Sequence, residues 1–314
     1  MLIEIILALL LGCIIGTFTG LTPGIHINLI GIFLVSLSVS AFSSLNQIYL
    51  VTFIVAMAIT HTFVDFIPSI FLGCPDTDTE LSILPGHELL KKGHGYKAII
   101  LTAYGSVMAI FTLILITFPA IIAMSKIYGL LIKSYIMPFI LIFISFLLIF
   151  LERKKLKALL VFSLTGFLGL SVLNLPSLNQ PLLPLLTGLF GGSALIISIK
   201  NKIQIPKQKI KKPAKIHKPL AQAFIGSLIA SPLCSFLPGL GSGQAAVIGN
   251  TISKTSRKGF LILLGATNTL VMGFSFISLY TLSKTRTGAA VAIQKIIGNP
   301  SLKILLLILI ITLI

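Results

Sequence analysis

The sequence LPGLGSGQAAVIG, residues 237–249, places one proline and four glycines within an apolar part of the chain. TPGIHINLIG, residues 22–31, repeats the Pro-Gly pair in the same setting near the start of the chain. Proline removes a helix hydrogen bond and clashes with the preceding turn, while glycine lacks the side chain that limits close approach. Such a break is tolerated at membrane depth only where the freed backbone is buried in protein or lines a cavity. Both stretches therefore predict broken membrane helices beside a cavity.

The composition around these breaks is that of a membrane protein. Hydrophobic residues make up 56% of the 314 residues, charged residues make up 10%, and the mean hydropathy is +1.07. A soluble domain carries about 25% charged residues. Several apolar runs reach the roughly 20 residues that a membrane-spanning helix needs, and they lack the alternation of barrel strands. The predicted fold class is all-α, a polytopic transmembrane helical protein of the cell membrane.

Positive charge sets the predicted orientation. The net charge is +17, and basic residues concentrate in the loops at residues 91–97, 152–157 and 200–218, the last with eight lysines. Two hairpins of apolar helix separate these loops, so all three lie on one side, which the positive-inside rule makes cytoplasmic. Because this charge lies between membrane helices, it indicates topology and not the binding of nucleic acid.

These boundaries predict four regions. The outer two are repeats with a broken helix, the first carrying an acidic hairpin and the second a basic hairpin. Between them lie central transmembrane helices and a cytoplasmic lysine-rich linker. In chain order the regions are residues 1–97, 98–199, 200–218 and 219–314.

The two outer regions carry related sequences in the same order. ITHTFV (residues 59–64) matches ATNTLV (residues 266–271), and at the same spacing of 207 residues PDTDTE (75–80) falls opposite LSKTRT (282–287). Loop charge assigns corresponding loops to opposite sides, because residues 43–47 are uncharged whereas residues 254–258 are basic. We therefore predict two inverted repeats around a central cavity, with about eight to ten membrane segments, some of half length.

The half-helix that begins after each break presents unpaired N–H groups and positive potential, which favour an anion. In the second hairpin, an arginine fork and a lysine could grip a carboxylate or phosphate, and a histidine beside the first break could relay protons. The alternatives are that the breaks are packing kinks and that the polar residues hydrogen-bond between helices. The candidate substrate-binding residues are Pro23, Gly24, His26, Asn28, Pro238, Gly239, Gly241, Ser242, Gln244, Lys284 and Arg286.

Five of the seven carboxylates fall between Asp65 and Glu88. Carboxylates near bilayer depth are costly, so their default interpretation is functional. Asp76, Asp78 and Glu80 are the candidate ion-coupling residues, which could bind a sodium ion through oxygen ligands or take up a proton. The alternative is that the acidic and basic hairpins are exposed loops, or that they neutralise each other. With no phosphate loop and no metal-spaced cysteines or histidines, we expect no enzyme, no metal and no cofactor beyond a coupling ion.

Three segments resemble a known family. GLTPGIHINLIG, IPSIFLGCPDTDTELSILPGHELLKKGHGYKAI and SFLPGLGSGQAAVIG are similar to signature segments of TctA-type permeases, the large membrane subunit of tripartite tricarboxylate transporters, and especially to a shorter archaeal branch. The resemblance implies an ion-coupled secondary transporter that works with a small membrane subunit and an extracytoplasmic binding protein. Positions that match the family are Pro23, Gly24, His26, Gly73, Pro75, Asp76, Gly86, Pro238, Gly239, Gly241, Gln244 and Ala245.

The leading functional hypothesis is an ion-coupled secondary transporter, a permease, for an organic anion such as a di- or tricarboxylate. The alternative is a translocase for a lipid-linked phosphate of the polyprenyl type, in which the lysine-rich linker attracts anionic headgroups of the membrane lipids. A third hypothesis is an intramembrane enzyme that uses Asp76, Asp78 and His87, but no ligand spacing supports it.

Overall fold

The structure is a computed structural model that describes residues 2–25, 27–73, 78–133, 136–175, 206–210, 216–237 and 239–314, with residues 185, 188, 189, 196, 199 and 200. The described residues form helices and connecting turns and contain no strand, which confirms the all-α fold class. A short 3₁₀ turn occupies Glu80–Ser82. The α-helices are α1 (Leu2–Leu21), α2 (Ile27–Val39), α3 (Gln47–Val64), α4 (Phe66–Leu72), α5 (Ile83–Lys91), α6 (Gly95–Lys133), α7 (Met137–Leu151), α8 (Lys155–Leu173), α9 (His217–Ala230), α10 (Leu233–Phe236), α11 (Ser242–Ser253), α12 (Arg257–Leu282), α13 (Gly288–Ile297) and α14 (Leu302–Leu313).

Length and hydropathy identify the membrane segments. Five helical stretches in the described residues can cross a membrane, namely α1, α3 continued through α4, most of α6, α8 and α12. Four shorter apolar helices, α2, α7, α13 and α14, accompany them. The chain is therefore a multi-pass membrane protein. The second apolar segment of the predicted central region, residues 181–199, lies mostly outside the described residues.

Two long helices form the centre of the molecule. In the most apolar stretch of α12, 89% of the residues are buried, and the corresponding share for Gln47–Leu72, which comprises α3 and α4, is 72%. By contrast, α7 and α8 contain no buried residue although both are apolar. Apolar helices with that exposure are suited to contact with lipid, so α3, α4 and α12 form the core and α7 and α8 the lipid-facing margin.

Glycines let neighbouring helices approach closely. In α1, a Cβ atom added at Gly12 would collide with Phe53 O of α3, and one added at Gly20 would lie 2.8 Å from Val64 Cβ. A later residue of α1 thus contacts a later residue of α3, so α1 and α3 run parallel. Small residues at helix contacts are the usual means of tight packing in membranes, because lipid supplies no hydrophobic drive for association.

Each half contains a helical hairpin with a predicted break at its tip. α1 ends beside the end of α3, and α2 leads back to the start of α3, so α2 runs antiparallel to α1. In the second half, α9 and α11 are antiparallel and touch where a Cβ atom at Gly226 would lie 2.7 Å from Gly249 O. In both halves a long central helix follows the hairpin, and two short helices follow that helix, α4 and α5 in the first half and α13 and α14 in the second.

The two central helices, α3 and α12, contact each other at corresponding positions of the matching sequences ITHTFV and ATNTLV. Thr62 Oγ1 of α3 lies 3.0 Å from Thr269 Oγ1 of α12, and these residues are 207 positions apart. A contact between corresponding residues is compatible with an axis that relates the two halves, and the repeat itself stays a prediction. The opposite orientation of the halves in the membrane stays a prediction.

Three lysine-bearing segments lie at one end of the molecule, here named the lysine end. Arg257 forms an ion pair with Glu88, and the Lys97 and Lys258 ammonium groups lie close enough to repel each other. Residues 206–210 of the linker bind the same end, because Gln208 Oε1 accepts from Gly95 N at 2.7 Å. The segments at residues 91–97, 206–210 and 254–258 therefore share one end, as expected for loops on the same side of a membrane.

Candidate functional site

A cavity of about 390 Å³ lies where broken helices from both halves meet. This central cavity is lined by the first residues of α2, by the second Pro-Gly break, by the start of α13 and by one residue of the acidic hairpin. Val271 and Met272 of α12 close it with apolar surface. Segments far apart in the sequence thus converge on one space.

The first break brings Ile27 and Asn28 to the cavity. Gly24 has a φ of 89°, a left-handed conformation that side chains rarely adopt. Asn28 Oδ1 contacts the backbone of Gly288, where an added Cβ atom would collide with it, so the first turns of α2 and α13 touch. Pro23 and Gly24 do not line the cavity, and the predicted residue His26 lies outside the described residues.

The second break lines the cavity with Gly239, Leu240 and Gly241. Gly239 has a φ of 77° and holds the position that corresponds to Gly24. The Gly241 N–H donates to Gln244 Oε1 at 3.0 Å, so the side chain of the third helical residue caps α11. In this conformation that N–H is engaged within the protein and is not available to an anion. Pro238 lies outside the described residues.

The acidic hairpin docks onto the start of α11. Ser242 Oγ donates to Asp78 Oδ1 at 2.6 Å, and Asp78 also lines the cavity. Glu80 does not line it; its carboxylate lies against Gly243, where an added Cβ atom would be 2.9 Å from Glu80 Oε1. Both carboxylates thus lie where the helix presents positive potential. Asp76 lies outside the described residues.

The basic hairpin contributes Arg286 to the cavity but not Lys284, which is exposed to solvent. Ser275 of α12 fixes this hairpin, because its Oγ accepts from Arg286 N at 3.3 Å and from Thr287 N at 3.1 Å. Thr287 Oγ1 then caps α13 by accepting from Ala290 N at 3.4 Å. Ser275 was not among the predicted residues, because its role depends on hydrogen bonds from the turn between α12 and α13, which lies more than ten residues later in the chain.

The cavity combines helix N-termini with one basic and one acidic side chain. α2, α11 and α13 all begin at the cavity. Asp78 and Glu80 offset the positive potential at the start of α11, so the N-termini of α2 and α13 are the ones that direct positive potential toward the cavity. Arg286 carries a guanidinium whose fork of donors matches the geometry of a carboxylate, and Asp78 carries carboxylate oxygens, the type of ligand that hard cations prefer. Within the described residues, no group of three or more His, Cys, Asp and Glu side chains is placed to hold a metal ion.

The sequence indicated that Asn268 could hydrogen-bond between helices and that Asp65 belongs to the cluster of carboxylates, but it did not pair the two residues. Asp65 is 3% exposed, and Asn268 is 4% exposed. Asn268 Nδ2 donates to Asp65 Oδ2 at 2.8 Å across the contact between the two halves. The available signal was an aspartate within the long apolar run of α3 and α4, which is costly in a membrane unless it has a function.

Comparison with known proteins agrees with this architecture. The family model described as "Tripartite tricarboxylate transporter TctA family" matches residues 6–310. The chain is 33% identical over 299 residues to "Uncharacterized protein MJ1079" of the archaeon Methanocaldococcus jannaschii, an alignment that covers 94% of this chain and 73% of the relative. No solved structure matches the chain. The resemblance predicted from the sequence is therefore confirmed, and the chain belongs to the TctA family of tripartite tricarboxylate transporters.

Proposed function

We propose that the chain is an ion-coupled permease that carries a small organic anion, a di- or tricarboxylate, across the cell membrane. The observation that carries this proposal is the convergence of Arg286 and the first turns of α2, α11 and α13 on one central cavity. Binding sites for small molecules have volumes of roughly 300–1,000 Å³. The cavity volume of about 390 Å³ is in this range.

The cavity suits an anion that carries more than one carboxylate. Arg286 and the helix starts surround it from both halves, so carboxylates at different points of one ligand would each find positive potential. The apolar side chains of Leu240, Val271 and Met272 lower the local polarity, which strengthens these interactions. A neutral molecule would gain none of this attraction.

Broken helices from two related halves also suit alternating access. Transporters with such repeats bind their substrate at the interface between the halves, near the middle of the membrane. The α1–α2 hairpin leads to the cavity from the end opposite the lysine end, and the α9–α11 hairpin leads to it from the lysine end. Rocking of one half against the other would therefore open the cavity to each side in turn.

We assign ion coupling to the acidic hairpin. Asp78 lines the same cavity as Arg286, so its negative charge opposes an anionic substrate. A sodium ion or proton that neutralises Asp78 removes this repulsion and raises the affinity for the anion. By linkage, the anion raises the affinity for the cation to the same extent, which is what coupling requires.

We also propose that the permease works with partner proteins. The family is named for a transporter of three parts, which suggests a small membrane subunit and an extracytoplasmic binding protein. The exposed apolar helices α7 and α8 leave room for a membrane subunit beside the core.

Exchange assays in proteoliposomes test the proposed function. Purified protein is reconstituted and loaded with one anion, and entry of a labelled anion from outside is measured for mono-, di- and tricarboxylates, phosphate, a neutral sugar and a polyprenyl phosphate. We expect exchange of at least one di- or tricarboxylate and no entry of the sugar. Scrambling of the polyprenyl phosphate without exchange of any soluble anion would contradict the proposal and favour a lipid translocase.

A further inference from the structure

Asp65 is a carboxylate buried between the two halves and outside the lining of the central cavity. It sits at the joint of α3 and α4, which belong to the first half, and only 3% of it is exposed. Its partner Asn268 lies in α12 of the second half, 203 positions away, with the amide nitrogen 2.8 Å from Asp65 Oδ2. The bond therefore joins the central helix of one half to that of the other.

A second buried polar contact joins the same two helices. Thr62 and Thr269 touch one turn before Asp65 at 3.0 Å. On the side of the first half, Ser69 Oγ donates to the Asp65 backbone oxygen at 2.9 Å and contacts Thr79 Oγ1 at 2.5 Å. The Thr62–Thr269 and Asp65–Asn268 contacts both cross between the halves, so relative movement of the halves has to rearrange both.

Asp65 shares its surroundings with other titratable groups. His61, one turn earlier on α3, places its Nδ1 3.0 Å from Thr19 Oγ1 of α1. Asp78 and Glu80 flank Thr79 of the acidic hairpin. Other charged or histidine residues on the helices and hairpins around α3 and α4, among described side chains, are Glu4, His87, Glu88, Lys91, Lys97, Lys126, Arg257, Lys258, Lys284, Arg286, Lys295 and Lys303.

We propose that Asp65 takes up a proton that couples the movement of the two halves to a proton gradient, an inference that rests on the proposed function. A charged carboxylate at this depth needs a donor, and Asn268 provides one. Movement of α3 against α12 would separate the two groups and leave the charge buried without that donor. A proton from water on one side converts the carboxylate to a carboxylic acid, and its release on the other side restores the charge.

The structure thus divides two roles between two carboxylates. Asp78 lines the cavity and acts on the affinity for the anion. Asp65 lies at the contact between the halves and permits their movement only when it is protonated. Net transport would then require a proton at Asp65, whereas charged Asp65 holds the halves in place through Asn268.

Asp65→Asn in the full chain tests this assignment in proteoliposomes, with an anion that the wild-type protein exchanges. The amide keeps the shape of the side chain and stays neutral, like the protonated acid. We expect exchange of that anion to persist and to lose its dependence on pH, while accumulation driven by a pH gradient is lost. Glu152→Gln is the control, because Glu152 lies in an exposed loop and its loss should leave accumulation unchanged.

Asn268→Ala provides a second variant that keeps the acid and removes its donor. The pH profile of exchange should move toward higher pH, because the charged carboxylate loses a hydrogen bond; a purely structural role would lower the rate equally at every pH. Accumulation by Asp65→Asn at the wild-type level, or accumulation by the wild-type protein driven by sodium alone at every pH, would overturn the inference. Absence of anion exchange in the wild-type protein, both alone and with the proposed membrane subunit and binding protein added, would instead overturn the proposed function and this inference with it.

Discussion

Arg286 and Lys284 are separated by one residue, yet only Arg286 lines the central cavity. We predict that Arg286→Gln weakens binding of a tricarboxylate by roughly 10- to 100-fold, because a hydrogen bond to a charged group contributes about 1.5–3 kcal/mol. The loss should be smaller for a monocarboxylate, which has less charge to attract. Isothermal titration calorimetry on purified protein measures both affinities.

Lys284→Gln is the matched control for Arg286→Gln. It removes the same charge at almost the same place in the chain, but from a side chain that is exposed to solvent. Because exposed charges are screened by water and salt, its effect on the affinity should be small. Equal losses in the two variants would show that the anion responds to net charge and not to contact with Arg286.

At the residue scale, the sequence predicted the cavity in part. Asn28, Asp78, Gly239, Gly241 and Arg286 were all candidates, and the structure brings all of them to one cavity. These residues could be identified from the sequence because helix breaks and charged hairpins are local patterns. Arg286 lines the cavity and Lys284 does not because of the conformation of the turn that carries both residues. That conformation could not be predicted from composition.

The pairing of Asp65 with Asn268 could not be predicted from the sequence, for a different reason. The two residues are 203 positions apart, and each is a polar residue in an apolar run, which indicates that it needs a partner but does not identify that partner. Only the packing of α3 against α12 brings them together. The capping of Gly241 by Gln244, by contrast, follows the local pattern of a helix start with Gln at its third position and could have been predicted.

At the scale of single elements, Pro-Gly pairs have two outcomes in this chain. Gly24 and Gly239, the glycines of two of these pairs, lie at the tips of hairpins and adopt left-handed conformations. The third pair, Pro85 and Gly86, lies within the first turn of α5 and does not break it. Proline is tolerated there because the first N–H groups of a helix have no partner within that helix. The motif alone therefore does not predict a break. Whether a Pro-Gly pair breaks a helix depends on how far the pair lies from the start of that helix.

The crossing of α6 and α12 is the closest contact between the central region and the second half. A Cβ atom at Gly105 would collide with Ile262 O, and one at Gly265 would collide with Thr102 O. We predict that Gly105→Val destabilises the protein by about 1–3 kcal/mol or more, because overpacked side chains force the helices apart. Thermal unfolding in detergent would show this as a lower melting temperature.

Gly129→Val is the control within the same helix. No atom lies within 4 Å of the position that its Cβ atom would occupy, so the larger side chain meets open space. The helix propensity of the two variants changes alike, and only the packing differs. A melting temperature lowered to the same degree in both variants would mean that α6 responds to valine itself and not to the crossing with α12.

At the scale of the whole molecule, the lysine end gives a test of topology. Single cysteines replace Lys92, Lys258 and Ser44, which are all exposed, in a chain whose native cysteines are changed to serine. We predict that a membrane-impermeant maleimide labels the first two from the same side and Ser44→Cys from the opposite side, as the positive-inside rule requires. Intact cells and inverted vesicles distinguish the sides. Labelling of Lys92→Cys and Lys258→Cys from opposite sides would contradict both the shared end and the inverted repeats.

Much of the overall architecture could be predicted because membranes permit few solutions. Long apolar runs must be helices, and the basic segments at residues 91–97 and 254–258 must stay outside the lipid on one side. The convergence of α2, α11 and α13 on one cavity could be predicted only in part. The start of α13 follows a basic hairpin without proline, and its place beside α2 depends on contact between Asn28 and Gly288.

Substrate protection of a cysteine in the cavity tests the central claim most directly, namely that the central cavity binds the transported anion. Thr285 lines the cavity, whereas the adjacent Lys284 is exposed and does not. Each is replaced by cysteine in a chain without native cysteines, and the rate of alkylation by a small maleimide is measured with and without a saturating exchanged anion. The account predicts that the anion slows alkylation of Thr285→Cys and leaves Lys284→Cys unchanged. An unchanged rate at position 285, or equal slowing at both positions, would contradict it.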